Sequence, residues 1–258
     1  MTYLYAITDQ PHVPLPPGPG LTGAPLLSVC CREIAAVVSP LATTEIPPTP
    51  ANVWQHEMVV EALMAGRTVL PMRFGTMVDD LVPVVAMLAA RHDDLGADLS
   101  RLRGYVEVGV RVLGDGDSSQ LPTEPPEMLR IEPPGGEPLA CSPGAVYLRA
   151  RLEQERQART WQQRMTALAA EFHTDLTPLA AESTYRVLAT PRLLLTASYL
   201  VARHELESFR AAVGTLAAAN PTVHFLCTGP WPPYSFVRAT VLMGKPGGQP
   251  CRWPILSN

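Results

Sequence analysis

Charge is scarce in this chain. Asp, Glu, Lys and Arg make up 17% of its 258 residues, against ~25% in ordinary soluble proteins. Lysine is almost missing: Lys245 is the only one, and every other basic residue is an arginine. With 20 basic and 24 acidic residues the net charge is −4, which argues against global attraction to nucleic acid or to an acidic membrane. The first basic residue is Arg32. The start therefore lacks the positive region of a secretory signal, and none is predicted. Long apolar runs are lacking as well. The best, Leu81 to Ala90, contains Pro83 and falls short of the ~20 residues that cross a bilayer. The five cysteines, Cys30, Cys31, Cys141, Cys227 and Cys251, include no CxxC pair. Their odd number predicts reduced thiols in a cytoplasmic protein.

What is present is apolar residue and proline. Hydrophobic residues are 47% and prolines number 28, enough for a core interrupted by long irregular stretches. Residues 3–7 read as a strand and 11–25 as a Pro/Gly loop. Leu26 to Arg32 and Ile34 to Ser39 read as a hairpin around Glu33. A helix runs from Ala51 to about Ala65 and stops at Gly66. Thr68 to Phe74 reads as a strand interrupted at Pro71, and Val78 to Arg103 as one broken helix or two. From Gly104 to Leu113, Val106, Val108, Val110 and Val112 alternate with Tyr105, Glu107, Gly109 and Arg111, the pattern of a half-buried strand. Residues 1–113 thus form an α+β sandwich close to the ferredoxin-like pattern. Residues 114–143 are proline-dense and predict a domain linker. Residues 144–237 predict a long helix, two strands, a helix and a strand, a second small α+β domain, and 238–258 a tail. The long helix carries a stripe of Met165, Leu168, Phe172, Leu176 and Leu179. Its Arg-rich first half is predicted to stand in solvent or to span between domains. No residue-level repeat links the two halves.

Motifs for catalysis are weak. Gly18-Pro19-Gly20-Leu21-Thr22-Gly23 has the G-x-G-x-x-G spacing, but prolines precede it and a β-rich run follows, so it reads as a turn. His56-Glu57 lacks the second histidine of a zinc protease, since position 60 is Val60. His56 is expected to be a hydrogen-bonded structural histidine, and Glu57 with Glu61 a solvated or salt-bridged stripe. Neither a metal nor a cofactor is expected. Arg73 closes the apolar run Val69-Leu70-Pro71-Met72 and is expected to find acceptors in a structural ion pair. Trp231, Tyr234 and Phe236 lie among Pro230, Pro232 and Pro233, which predict irregular structure. This segment is expected to fold back on the second domain.

Leu70-Pro71-Met72-Arg73-Phe74-Gly75-Thr76 and Thr228-Gly229-Pro230-Trp231-Pro232-Pro233-Tyr234-Ser235-Phe236-Val237 resemble signatures of the gas vesicle protein F/L family (GvpF/GvpL). Tyr3-Leu4-Tyr5, His56-Glu57 and Tyr147-Leu148-x-x-Arg151 fall in the same order. Ala6 departs from the glycine the family often has there. The resemblance runs from residue 3 to about 237. It implies two ferredoxin-like domains joined through helices, and an accessory role in assembling gas vesicles, associated with them and without enzymatic activity. The implied partners are the hydrophobic shell-forming subunit and other accessory proteins. The motif positions of structural or partner-binding interest are His56, Glu57, Arg73, Phe74, Trp231, Tyr234 and Phe236. The alternative is an enzyme or small-molecule sensor on paired ferredoxin-like domains, with a pocket near Arg73 and His56.

Overall fold

The computed structural model describes residues 1–114, 143–188, 190 and 193–238. Strand β1 (Thr2–Thr8) is buried at every position. It therefore needs cover on both faces, which is why its sequence shows little alternation. Strands β2 (Leu27–Cys31) and β3 (Ile34–Pro40) form the expected hairpin, with Cys31 opposite Ile34. Its two-residue turn places Arg32 at φ 52°. β1 pairs antiparallel with β3, with β4 (Val69–Pro71) and with β5 (Met77–Val78). The sheet order is β2-β3-β1-β4, with β5 also on β1.

Three helices serve this sheet. Helix α1 (Pro50–Met64) starts at Thr49, whose side chain accepts from the Asn52 N–H. Pro50 occupies the first turn, where a missing N–H is no loss. Helix α2 (Leu81–Ala90) is capped by Asp80, and α3 (His92–Leu102) follows after Arg91. α1 packs on β1 and β4, α2 on β2 and β3, and α3 on β4.

The second sheet begins earlier than expected. Strand β6 (Tyr105–Gly114) was expected to close the first domain, yet it pairs within the order β7-β8-β6-β9. The other elements are α4 (Pro143–Leu176), β7 (Glu182–Val187), β8 (Leu195–Ala202), α5 (Leu206–Ala219) and β9 (Val223–Trp231). With β6 first, the element order is β-α-β-β-α-β and the central strands are the first and third, the ferredoxin-like arrangement. Val108, Val110 and Val112 of β6 join Phe172, Leu195, Tyr199 and Phe209 in one core. The first sheet repeats the same strand order, with residues 9–26 standing where a first helix would be. A diverged duplication leaves such a pattern once residue similarity has gone.

The chain divides into two compact units, Met1–Glu107 with the chain from Trp231 onward, and Val108–Pro230. This revises the expected division at 1–113 and 144–237. The proline-dense stretch 114–143 joins β6 to α4 inside one unit rather than linking domains. Its residues 115–142, like the tail residues 239–258, lie outside the described residues. β9 also extends past the expected end, through Pro230 to Trp231. It is the terminal strand of its sheet, where a residue without an N–H can be accommodated.

The Gly18–Gly23 segment is a turn, as read from its flanks. Leu21–Gly23 forms a short 3-10 turn, and Leu21 is fully buried. The Leu21 N–H donates to Tyr5 Oη at 2.7 Å. A Cβ on Gly20 would lie 2.4 Å from both Tyr5 Oη and Ser39 Oγ, so only glycine fits. Gly20→Ala is expected to lower unfolding stability by ~1–3 kcal/mol through overpacking. Urea melts of the two proteins check this, and an unchanged midpoint would contradict it.

Candidate functional site

Helix α1 turns His56 into the interior with no exposed surface. A buried imidazole must have both nitrogens bonded, and here they are. Tyr3 Oη accepts from the Gly75 N–H at 3.0 Å. Its own hydrogen is then directed to His56 Nδ1 at 3.0 Å. That assigns the ring proton to Nε2, by the logic of the network. Nε2 faces Met72 O at 3.1 Å and Tyr234 Oη at 3.2 Å. Tyr234 in turn donates to the Glu57 carboxylate, at 3.1 Å and 3.2 Å to its two oxygens. One chain of donors therefore runs from Gly75 through Tyr3, His56 and Tyr234 to Glu57. Gly75 sits at φ +84°, a left-handed conformation suited to glycine.

Aromatic rings enclose the imidazole. Tyr5 lies near-parallel to it at 21°, and Phe74 meets it edge-on at 5.8 Å. Burial holds His56 down at about 4, partly offset by the Met72 carbonyl. Burial pushes Glu57 up to about 7, opposed by the Tyr234 hydrogen bond and aided by the Glu61 charge. Burial also raises Tyr3, Tyr5 and Tyr234.

The segment after β9 is fixed by two further carboxylates. Glu107 accepts from the Ser235 N–H at 2.8 Å and the Ser235 hydroxyl at 2.7 Å. Asp98 accepts from the Arg238 N–H at 2.7 Å and from Arg101 at 2.7 Å. Arg101 also donates to Phe236 O. Asp98 and Glu107 are 5% and 8% exposed, so their charges need these donors.

The structure thus brings together His56, Glu57, Phe74 and Tyr234, while Phe236 is held separately through its backbone by Arg101. Several expectations need correction. Glu57 is a half-buried acceptor for Tyr234, not part of a solvated stripe. The Tyr234–Phe236 turn packs in the first unit, not on the second, because its polar atoms find Glu57, Glu107 and Arg101 there. Phe236 is 5% exposed, whereas Trp231 remains 40% exposed. Arg73 is exposed, and among the described residues its guanidinium has no ion pair, because the turn closed by Thr76 on Arg73 O carries it out of the apolar run. His56 has no free nitrogen to share with it in a pocket. Sequence reasoning did not select Tyr3, Tyr5, Asp98, Arg101, Glu107 or Ser235 as site residues. Tyr3 and Tyr5 carried a signal as an aromatic pair in an opening strand, and Ser235 only as a member of the Thr228–Val237 signature. Among the described residues no group of three His, Cys, Asp or Glu could hold a metal ion. No helix among them is long and apolar enough to cross a membrane.

Glu57 and His56 oppose each other in their pH dependence. The Glu57 value rises from 4.5 to about 7 on folding, so its contribution is present below ~4.5 and lost as pH rises through ~7. The His56 value falls from 6.5 to about 4, so its contribution is present above ~6.5 and lost as pH falls through ~4. Between these limits the two slopes largely cancel. Glu57→Gln is expected to uncover the His56 slope, with stability climbing by ~1–3 kcal/mol from pH 4.5 to 6.5 relative to the parent. Urea melts across that range test it, and parallel pH profiles would contradict it.

Comparison with known proteins gives matches over most of the chain. The family model described as gas vesicle synthesis protein GvpL/GvpF covers residues 1–238. Gas vesicle protein L of Streptomyces sp. (strain CB03234) is 30% identical over 256 residues, covering 92% of each chain. Gas vesicle protein F2 of Halobacterium salinarum (strain ATCC 700922 / JCM 11081 / NRC-1) is 28% identical over 239 residues, covering 91% of each. The crystal structure of the gas vesicle protein GvpF from Anabaena sp. PCC7120 superimposes with a TM-score of 0.69 at 22% identity. It covers 92% of this chain and 95% of that one. At that identity the likeness concerns the two-unit α+β fold.

Proposed function

Because this chain belongs to the gas vesicle synthesis protein GvpL/GvpF family, we propose that it serves gas vesicle assembly by binding the hydrophobic shell-forming subunit and other accessory proteins. The observation that carries a binding reading is exposed apolar surface in the first unit. Trp54 is 67% exposed, Val82 72%, Val85 48% and Met58 47%. Trp54 and Met58 stand one turn apart on the solvent side of α1, and large apolar side chains exposed in this way mark an interaction surface. An unassembled hydrophobic subunit presents the same problem in reverse, and covering one surface with the other keeps it from self-association. The His56 network supports this reading, since a neutral imidazole with both nitrogens engaged in the interior is a framework element. Catalysis around His56 and Arg73 gains no support, because the imidazole is buried and bonded while Arg73 is exposed. The protein would act at the growing vesicle, with handover to the shell as the driving step.

Co-expression with the shell-forming subunit tests the proposal. The expected outcome is that tagged protein retains the subunit in the soluble fraction and co-elutes with it. A subunit that pellets equally with and without this protein would overturn the reading.

A further inference from the structure

The helices differ in the side they turn to water. α3 exposes Asp93, Asp94 and Ser100, and α5 exposes Glu207, Ser208 and Thr215. α4 exposes Tyr147, Leu148 and Leu152 near its start, but interleaved with Arg149, Arg151 and Glu153 and followed by Arg156, Arg159 and Arg164. α1 instead exposes Ala51, Trp54, Met58 and Ala62, continued by Ala65 just past its end. These positions recur every three to four residues and form one stripe without charge. The opposite side of α1 buries His56, Val59, Val60 and Leu63. A helix apolar on both sides is normally enclosed, so a partner is implied. α2 also exposes Val82 and Val85, but it has no aromatic and no charged border to specify what covers it.

Two features of the α1 stripe specify its occupant. One border is acidic: Glu61 flanks Met58 by helical spacing, while Glu57 is engaged by the Tyr234 hydroxyl. Among the described residues no side chain pairs with the Glu61 carboxylate. The other border holds the neutral Gln55, whose amide donates to Pro19 O. The second feature is size. Trp54 can bury ~150–250 Å², and one methionine with three alanines leaves the face well below the ~800 Å² per partner of a stable pairing. A second copy of this chain is therefore a poor occupant, and a single helix held transiently is a good one. The alanines let such a helix approach closely beside the Trp54 and Met58 ridge.

We propose that the outward face of α1 docks an amphipathic helix of the shell-forming subunit whose apolar stripe is bordered by lysine or arginine. This rests on the function proposed above. The contact is small and charge-steered, which suits capture and release.

The test has two arms. In the first, the full chain is titrated with a synthetic amphipathic helical peptide whose Leu/Ala stripe is bordered by lysines, and with a twin bordered by glutamates. The parent is expected to prefer the lysine peptide. A Trp54→Glu/Met58→Glu double variant is expected to lose at least ~tenfold in affinity, with unchanged melting because both side chains are exposed. Glu61→Lys is expected to shift preference toward the glutamate peptide, and it decides the matter should the double variant melt early. Equal binding by parent and variants, or no binding by the parent, overturns the proposed face. In the second arm, parent and Glu61→Lys are compared for retention of the shell subunit. Loss of retention in the variant supports the inference, and full retention overturns it. Peptide binding through α1 without subunit capture by the parent leaves the face standing as a helix-docking site and overturns both its assignment to the shell subunit and the proposed function.

Discussion

A histidine without access to water organises the first unit. His56 must satisfy two nitrogens inside the protein, and each partner comes from a different part of the chain. Nδ1 takes the Tyr3 hydroxyl of β1, and Nε2 faces Met72 O after β4 and the Tyr234 hydroxyl after β9. Removing the Tyr3 hydroxyl leaves the buried Nδ1 unpaired, which costs more than the bond itself contributes. The Leu70–Thr76 and Thr228–Val237 signatures, more than 150 residues apart in sequence, therefore serve one network. Their residues pair with the same ring.

That constraint explains the path of the chain. It leaves the first unit within β6, builds the second, and returns within β9. The return is fixed by buried carboxylates as well as by the Tyr234 hydroxyl. Asp98 and Glu107 are buried carboxylates that would be costly alone. They become acceptable because Arg101 and the Arg238 and Ser235 donors meet them. The returning segment is therefore part of the first unit's interior, and the first unit is incomplete until the last described residues arrive. Its outward surface keeps the apolar side chains that a binding protein needs.

Much of the fold was legible in local sequence. The hairpin followed from β-rich runs on either side of Glu33, and α1 from its apolar spacing and the Gly66 stop. His56 was legible as a bonded histidine because it lies among apolar helical neighbours. What failed was assignment across distance. The valines of β6 announced a strand with one buried face, but alternation does not say which sheet that face joins. Glu107 read as an outward residue because its acceptor role depends on Ser235. Trp231 to Phe236 read as irregular and self-capping because prolines limit local structure without naming a destination. Arg73 read as ion-paired because the turn that carries it into solvent was not evident from the apolar run before it.

The segment after β9 completes the first unit. Amide hydrogen exchange on the full chain, with and without Tyr234→Ala, tests it most directly. The Tyr234→Ala variant is expected to lose protection in β1, α1 and the Met72–Gly75 turn, while β7 and β8 keep theirs. Loss of protection confined to β7 and β8, or no loss anywhere, would contradict it.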